Sequence, residues 1–125
     1  MDQLSIALAE DEPVLQELFS YWLTEMGHKV TRVDNGEALL HVCRTTPIDM
    51  IVSDVRMPNL DGLTAVTILR QELGLPAVLS SGTWSETEEV QAQKAGVAIL
   101  AKPFRSFDLF VAMGHAATCR PVVMG

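Results

Sequence analysis

Cysteine, aromatic residues and basic charge are all scarce in this sequence of 125 residues. The two cysteines, Cys43 and Cys119, lack the Cys-x-x-Cys spacing of a metal or redox site, so buried or idle thiols are expected. Acidic residues outnumber basic ones by 16 to 9, and the Lys and Arg residues form no run. Because nucleic acid phosphates are bound by clustered Lys and Arg, the net charge of −7 argues against direct nucleic acid binding by this chain.

Long apolar runs are also missing. Charges or Gly and Pro interrupt every apolar stretch before it reaches membrane-spanning length, and the N-terminus lacks the basic start and apolar core of a signal peptide. We therefore expect no membrane association and a cytoplasmic location. The length predicts one domain, in residues 1–118, followed by a C-terminal tail in residues 119–125.

Short apolar segments alternate with longer segments of helical periodicity along the chain. The apolar segments predict strands at residues 5–9, 29–33, 48–53, 77–80 and 97–101. This alternation is typical of an α/β fold, in which helices cover both faces of a doubly wound five-stranded parallel sheet. Trp22, Phe107 and Phe110 are expected in the core, whereas Trp84 is expected to be exposed.

Polar side chains follow four of these strands, at the sheet edge where open parallel sheets bind ligands. They are Glu10 and Asp11, Asp54, Ser81 and Lys102. Two carboxylates about 4 Å apart repel by roughly 4 kcal/mol in an effective dielectric of about 20, so three in one crevice need a cation. Mg²⁺ is the expected ion, because it prefers oxygen ligands and leaves positions open for phosphate oxygens.

This arrangement suits phosphoryl transfer to a carboxylate. With a metal in place, Asp54 could attack a phosphoryl donor in line and become an acyl phosphate. The ammonium group of Lys102 and the hydroxyl group of Ser81 would then stabilise the charge on the phosphoryl oxygens.

The sequence resembles the receiver family of response regulators from the first predicted strand through the last helix. That family typically shows Asp-x-x-Met-Pro-x-x-Asp-Gly, and this chain has Asp-Val-Arg-Met-Pro-Asn-Leu-Asp-Gly, beginning at Asp54. An acidic pair, a hydroxyl residue before a small residue and a Lys-Pro dipeptide are further family features. Their counterparts here are Glu10-Asp11, Ser81-Gly82 and Lys102-Pro103.

The resemblance implies the flavodoxin-like strand order 2-1-3-4-5 and a phosphoacceptor role for Asp54. It also implies Mg²⁺ bound by Asp11, Asp54 and the backbone carbonyl of Arg56, with Glu10 acting through water. A sensor histidine kinase or a histidine phosphotransfer protein would supply the phosphoryl group, and a downstream effector protein or a fused output domain would receive the signal. Such a domain is no enzyme, although it assists its own phosphorylation and dephosphorylation.

One position departs from the family pattern. The family often has Tyr or Phe three residues before the Lys of its Lys-Pro dipeptide. This chain has Ile99 there, so the usual aromatic switch cannot operate. Either Ser80 or Ser81 could be the counterpart of the family's hydroxyl residue. Ser81 is favoured because the small residue Gly82 follows it.

Three other functions fit the sequence less well. A flavodoxin-like flavin binder needs a phosphate cradle after the first strand, where Glu10-Asp11-Glu12-Pro13 would repel a phosphate. A hydrolase that forms an aspartyl phosphate would need a second Asp where Arg56 stands. A degenerate receiver that serves only for docking is disfavoured by the intact acceptor set.

Overall fold

Strands and helices alternate strictly in the computed structural model, which describes residues 2–119. The strands are β1 (Ser5–Ala9), β2 (Lys29–Val33), β3 (Met50–Asp54), β4 (Ala77–Ser81) and β5 (Ala98–Ala101). The helices are α1 (Pro13–Glu25), α2 (Gly36–Thr45), α3 (Gly62–Leu73), α4 (Glu86–Ala95) and α5 (Ser106–Thr118). Predicted and observed strands differ by at most two residues at an end. None of the helices within residues 2–119 is long and apolar enough to span a bilayer.

The five strands form one parallel sheet in the order β2-β1-β3-β4-β5, which confirms the predicted architecture. All residues of β3 and β4 are buried, as a strand covered on both faces requires. The register places Asp54 beside Ser80, at the carboxyl end of the two central strands.

Side chains that alternate along the strands divide the interior into two apolar layers. Ile51 and Leu79 point to the layer under α2, α3 and α4. Val52 and Val78 point to the layer under α1 and α5. Both faces of the sheet are therefore covered.

The prediction that Phe107 and Phe110 belong to the core was wrong. Their exposed fractions are 69% and 45%, and the two rings stack on each other with centroids 6.4 Å apart. The side that α5 buries follows the spacing i, i+3, i+4, i+7, at Leu109, Ala112, Met113 and Ala116. This buried stripe includes small alanines. Choosing core residues by the size of their aromatic rings therefore selected the wrong face of α5. Trp22 does pack against the core, beside Phe19 and Phe104.

The expectation that Trp84 is exposed was also wrong. The ring is half-buried against the layer under α2 to α4, and its indole N–H donates a hydrogen bond of 2.8 Å to the carbonyl oxygen of Leu100. Trp84 thus ties the loop after β4 to β5. Of the tail predicted for residues 119–125, the part from residue 120 lies outside the described residues, and the boundary at 118 stays a prediction.

Candidate functional site

Three carboxylates meet where β1 and β3 end, side by side in the sheet. Asp54 is the last residue of β3, and Glu10 and Asp11 directly follow β1. One carboxylate oxygen from each lies within 4.8 Å of the others. Glu10 and Asp54 are buried whereas Asp11 is exposed, so the cluster opens to solvent on one side. An oxygen-rich, anionic set of this kind fits a hard divalent cation such as Mg²⁺.

Lys102 extends into this cluster from the end of β5. Its Nζ lies 2.8 Å from Oε1 of Glu10 and 3.4 Å from Oδ2 of Asp54. The same ammonium group is 6.0 Å from the centroid of the Phe19 ring, within the range of a cation–π contact. The predicted grouping of Glu10, Asp11, Asp54 and Lys102 is therefore present in the fold.

The pKa shifts indicate that one ammonium group does not fully compensate the carboxylates. Burial raises the pKa of Glu10 and of Asp54, and the opposing interaction with Lys102 does not cancel that effect. Burial lowers the pKa of Lys102, but the hydrogen bond to Glu10 and the charge of Asp54 outweigh it, so this pKa is raised. The site can therefore accept further positive charge.

Ser81 is fully buried at the end of β4, yet its hydroxyl group is engaged away from Asp54. It donates a hydrogen bond of 3.1 Å to the carbonyl oxygen of Thr83 and accepts one of 3.1 Å from the Thr83 amide. The predicted contact with a phosphoryl group on Asp54 would require these two bonds to be exchanged.

Arg56, predicted to supply a backbone carbonyl to the metal, uses its side chain elsewhere. Its Nη2 donates to Oε1 of Glu88 at 2.8 Å and to the carbonyl oxygen of Thr83 at 3.0 Å, while Nη1 binds the other oxygen of Glu88. This pairing raises the pKa of Arg56 and lowers that of Glu88. The Arg56 backbone also favours the charged form of the Asp54 carboxylate, although burial outweighs this effect and the pKa of Asp54 is raised.

Sequence reasoning missed the roles of Glu88 and Thr83. One local signal was present, because Ser85-Glu86-Thr87-Glu88 has the Ser-x-x-Glu pattern of a capping box, and both of its hydrogen bonds form at the start of α4. That pattern places Glu88 in the first turn of α4. It carries no information about a partner 32 residues away.

The Asp-Gly at the end of the acceptor motif, Asp61-Gly62, has a structural role. The side chain of Asp61 caps α3 by accepting a hydrogen bond of 2.8 Å from the Thr64 amide. The Gly62 amide donates to the carbonyl oxygen of Val55, and a Cβ atom at Gly62 would overlap the backbone carbonyl oxygen of Asp54. Glycine thus lets α3 begin against the end of β3.

Comparisons with known proteins agree with this geometry. Residues 6–113 match the family model of the response regulator receiver domain. Transcription factor SKN7 of Candida albicans is 33% identical over 107 residues, which cover 84% of this chain and 19% of that protein. Response regulator protein FleR of Pseudomonas aeruginosa is 33% identical over 81% of this chain and 22% of its own length. The solved response regulator receiver protein from Sinorhizobium medicae superposes with a TM-score of 0.81 at 30% identity, covering 92% of this chain and 94% of that one.

This chain belongs to the response regulator receiver family, the signalling domain of two-component systems. It spans between about a fifth and just under half the length of the first curated relatives that it matches. Receiver domains generally bind Mg²⁺ at an acidic pocket, and Glu10, Asp11 and Asp54 form such a pocket here.

Proposed function

We propose that Asp54 is the residue of this receiver that accepts the phosphoryl group, with Lys102 and Ser81 as its catalytic partners. The observation that carries the proposal is the position of the Asp54 carboxylate, which lies within 4.8 Å of two other carboxylates and 3.4 Å from the Lys102 ammonium group. This combines a nucleophile, a cation to neutralise the incoming charge, and a place for a divalent ion.

Each residue has a distinct role in the transfer. An Asp54 oxygen forms a bond to phosphorus while the bond from phosphorus to the donor's leaving group breaks. Lys102 neutralises the transferred oxygens, and Ser81 donates its hydroxyl hydrogen to one of them after leaving Thr83. Asp11, Asp54 and the backbone carbonyl of Arg56 would hold Mg²⁺ directly, with Glu10 acting through water. When bound, the ion would neutralise carboxylate and phosphoryl charge.

The partners follow from this chemistry. The donor is a sensor histidine kinase or a histidine phosphotransfer protein, and the recipient is an effector protein or an output domain fused to the receiver. We expect the exchange to take place in the cytoplasm, because a phosphoryl group from a kinase originates in ATP.

The domain is no independent enzyme, although its own residues assist phosphorylation and dephosphorylation. The receiver unit is residues 1–118, and residues 119–125 are a tail.

Acetyl phosphate labelling tests the proposal. With Mg²⁺ present, the wild-type protein should gain one phosphoryl group by intact mass, and Asp54→Asn should gain none, because an amide is not a nucleophile for phosphorus. Asp61→Asn is the matched control, since Asn also caps helices well and the substitution removes the same charge nearby. Labelling of Asp54→Asn at the wild-type yield would show that another residue is the acceptor.

A further inference from the structure

The side chain of Arg56 links the acceptor loop to the start of α4. Arg56 lies two residues after Asp54, and its guanidinium group spans the gap to Glu88 on α4 and to the carbonyl oxygen of Thr83 in the loop after β4. The exposed fraction of the Glu88 side chain is 15%, so this carboxylate is largely covered. A bidentate Arg–carboxylate pair fixes the relative position of the two side chains better than a single hydrogen bond does.

The carbonyl oxygen of Thr83 is the shared point of this network. It accepts hydrogen bonds from Nη2 of Arg56 and from the hydroxyl group of Ser81. The pair therefore holds Thr83 where it engages the Ser81 hydroxyl, and the same hydroxyl must leave Thr83 before it can reach a phosphoryl group on Asp54.

We infer that the Arg56–Glu88 pair is a latch that positions Thr83 and thereby holds Ser81 in the arrangement of the unphosphorylated domain. Arg56 and Glu88 are positioning residues, since they act on the reaction through Thr83 and Ser81. The inference deepens the proposed function and rests on it. In this inference the closed latch opposes activation. Opening the latch should therefore let the domain switch at a lower concentration of the activating ligand.

The charges around Arg56 explain how phosphorylation would open the latch. Arg56 already feels the charges of Asp54 and Asp61. Phosphorylation converts the Asp54 carboxylate, with one negative charge, into an acyl phosphate with about two, so this group gains about one negative charge near the guanidinium group. It therefore competes with Glu88 for Arg56, while its oxygens offer the Ser81 hydroxyl a better acceptor than the Thr83 carbonyl.

Glu88→Gln tests the latch with little other change. Gln retains the shape of Glu and remains a good third residue of a capping box, so α4 should still begin at Glu86. Glu89→Gln is the matched control, because it removes the same charge from the same helical turn at an exposed residue. Each protein is titrated with beryllofluoride at saturating Mg²⁺. Amide exchange in residues 82–89 reports the switch, and calorimetry reports binding.

A ligand that binds only one of two conformational states has a higher apparent affinity when that state is more populated. Since a partly exposed ion pair contributes modestly, Glu88→Gln should reach half-maximal change at about a two- to fivefold lower beryllofluoride concentration than wild type and Glu89→Gln. In an Arg56→Gln background, Glu88→Gln should produce no further shift, because the partner is already gone.

A midpoint for Glu88→Gln equal to that of Glu89→Gln, or a midpoint at a higher concentration, would overturn the latch while leaving phosphorylation of Asp54 intact. A full shift in the Arg56→Gln background would also overturn it. Failure of the wild-type protein to bind beryllofluoride by calorimetry would instead overturn the proposed function and the latch together.

Discussion

At the scale of single residues, the site is defined by an excess of negative charge, because three carboxylates surround one ammonium group. The buried carboxylates of Glu10 and Asp54 share the ammonium group of Lys102, and Asp11 adds a third carboxylate at the solvent side. Burial disfavours ionisation of both buried groups, which is why their pKa values are raised. Without a divalent ion, the folded domain therefore bears a destabilising charge that function requires.

The raised pKa of Asp54 predicts a pH dependence of stability. A carboxyl group with a higher pKa in the folded state binds its proton more tightly there than in the unfolded chain. Its contribution is therefore favourable below the ordinary pKa near 4 and is lost as the pH rises through the folded pKa. Asn mimics the protonated carboxyl group at every pH. In EDTA, Asp54→Asn should match wild type near pH 4 and become progressively more stable than wild type as the pH rises to 7.

Urea unfolding of both proteins at several pH values measures this difference. Comparing the variant with wild type cancels the contributions of carboxylates elsewhere, such as Glu72 and Glu88, whose pKa values are lowered. A difference in the free energy of unfolding that stays constant from pH 4 to 7 would contradict the view that the buried Asp54 charge is destabilising. The same conclusion would follow if wild type were the more stable protein at pH 7.

At the scale of elements, α4 is the helix that is held least firmly. Among its residues only Ala92 is buried, whereas α3 buries six. Its C-terminal end is fixed by Arg70 of α3, whose buried guanidinium group donates to the carbonyl oxygens of Ala95 at 3.0 Å and Leu75 at 2.9 Å. Its N-terminal end depends on Arg56 and the capping box. Elements with few buried contacts move most easily, so we expect the N-terminal end to shift.

Ile99 bears on how that shift would travel. It lies on β5 with 42% of its surface exposed, and its β-branched side chain is stiff at the first torsion. The side chain cannot exchange a large group between buried and exposed positions. A change that begins at Ser81 should therefore pass through the backbone of residues 82–85 into α4.

Removing the Ser81 hydroxyl tests this route. With Mg²⁺ and saturating beryllofluoride, amide exchange in residues 82–95 should change in wild type and change much less in Ser81→Ala. Losing one hydrogen bond to the ligand should also weaken beryllofluoride binding about fivefold. Ser80→Ala is the control, because Ser80 is the neighbouring buried serine of β4. Equal responses of Ser81→Ala and wild type, or loss of the response in Ser80→Ala instead, would show that Ser81 is not the switching hydroxyl.

At the scale of the whole molecule, the sheet explains why much could be predicted from sequence. Apolar segments set the strands, and parallel strands bring their carboxyl ends to one edge, so Glu10, Asp11, Asp54 and Lys102 met as expected. The pairing of Arg56 with Glu88 and the hydrogen bond from Trp84 to Leu100 could not be predicted, because they depend on how loops fold over that edge. The exposure of Phe107 escaped prediction because side-chain size says nothing of which helical face meets the sheet.

Trapping the phosphorylated residue chemically tests the central claim most directly. Borohydride reduces an aspartyl phosphate to homoserine, which peptide mass spectrometry locates by position. After treatment with acetyl phosphate and Mg²⁺, homoserine should appear at position 54, and EDTA should abolish it, because the carboxylates of Glu10, Asp11 and Asp54 repel an approaching anion unless a cation is present. Homoserine at another position, or equal reduction at position 54 with and without EDTA, would contradict the account.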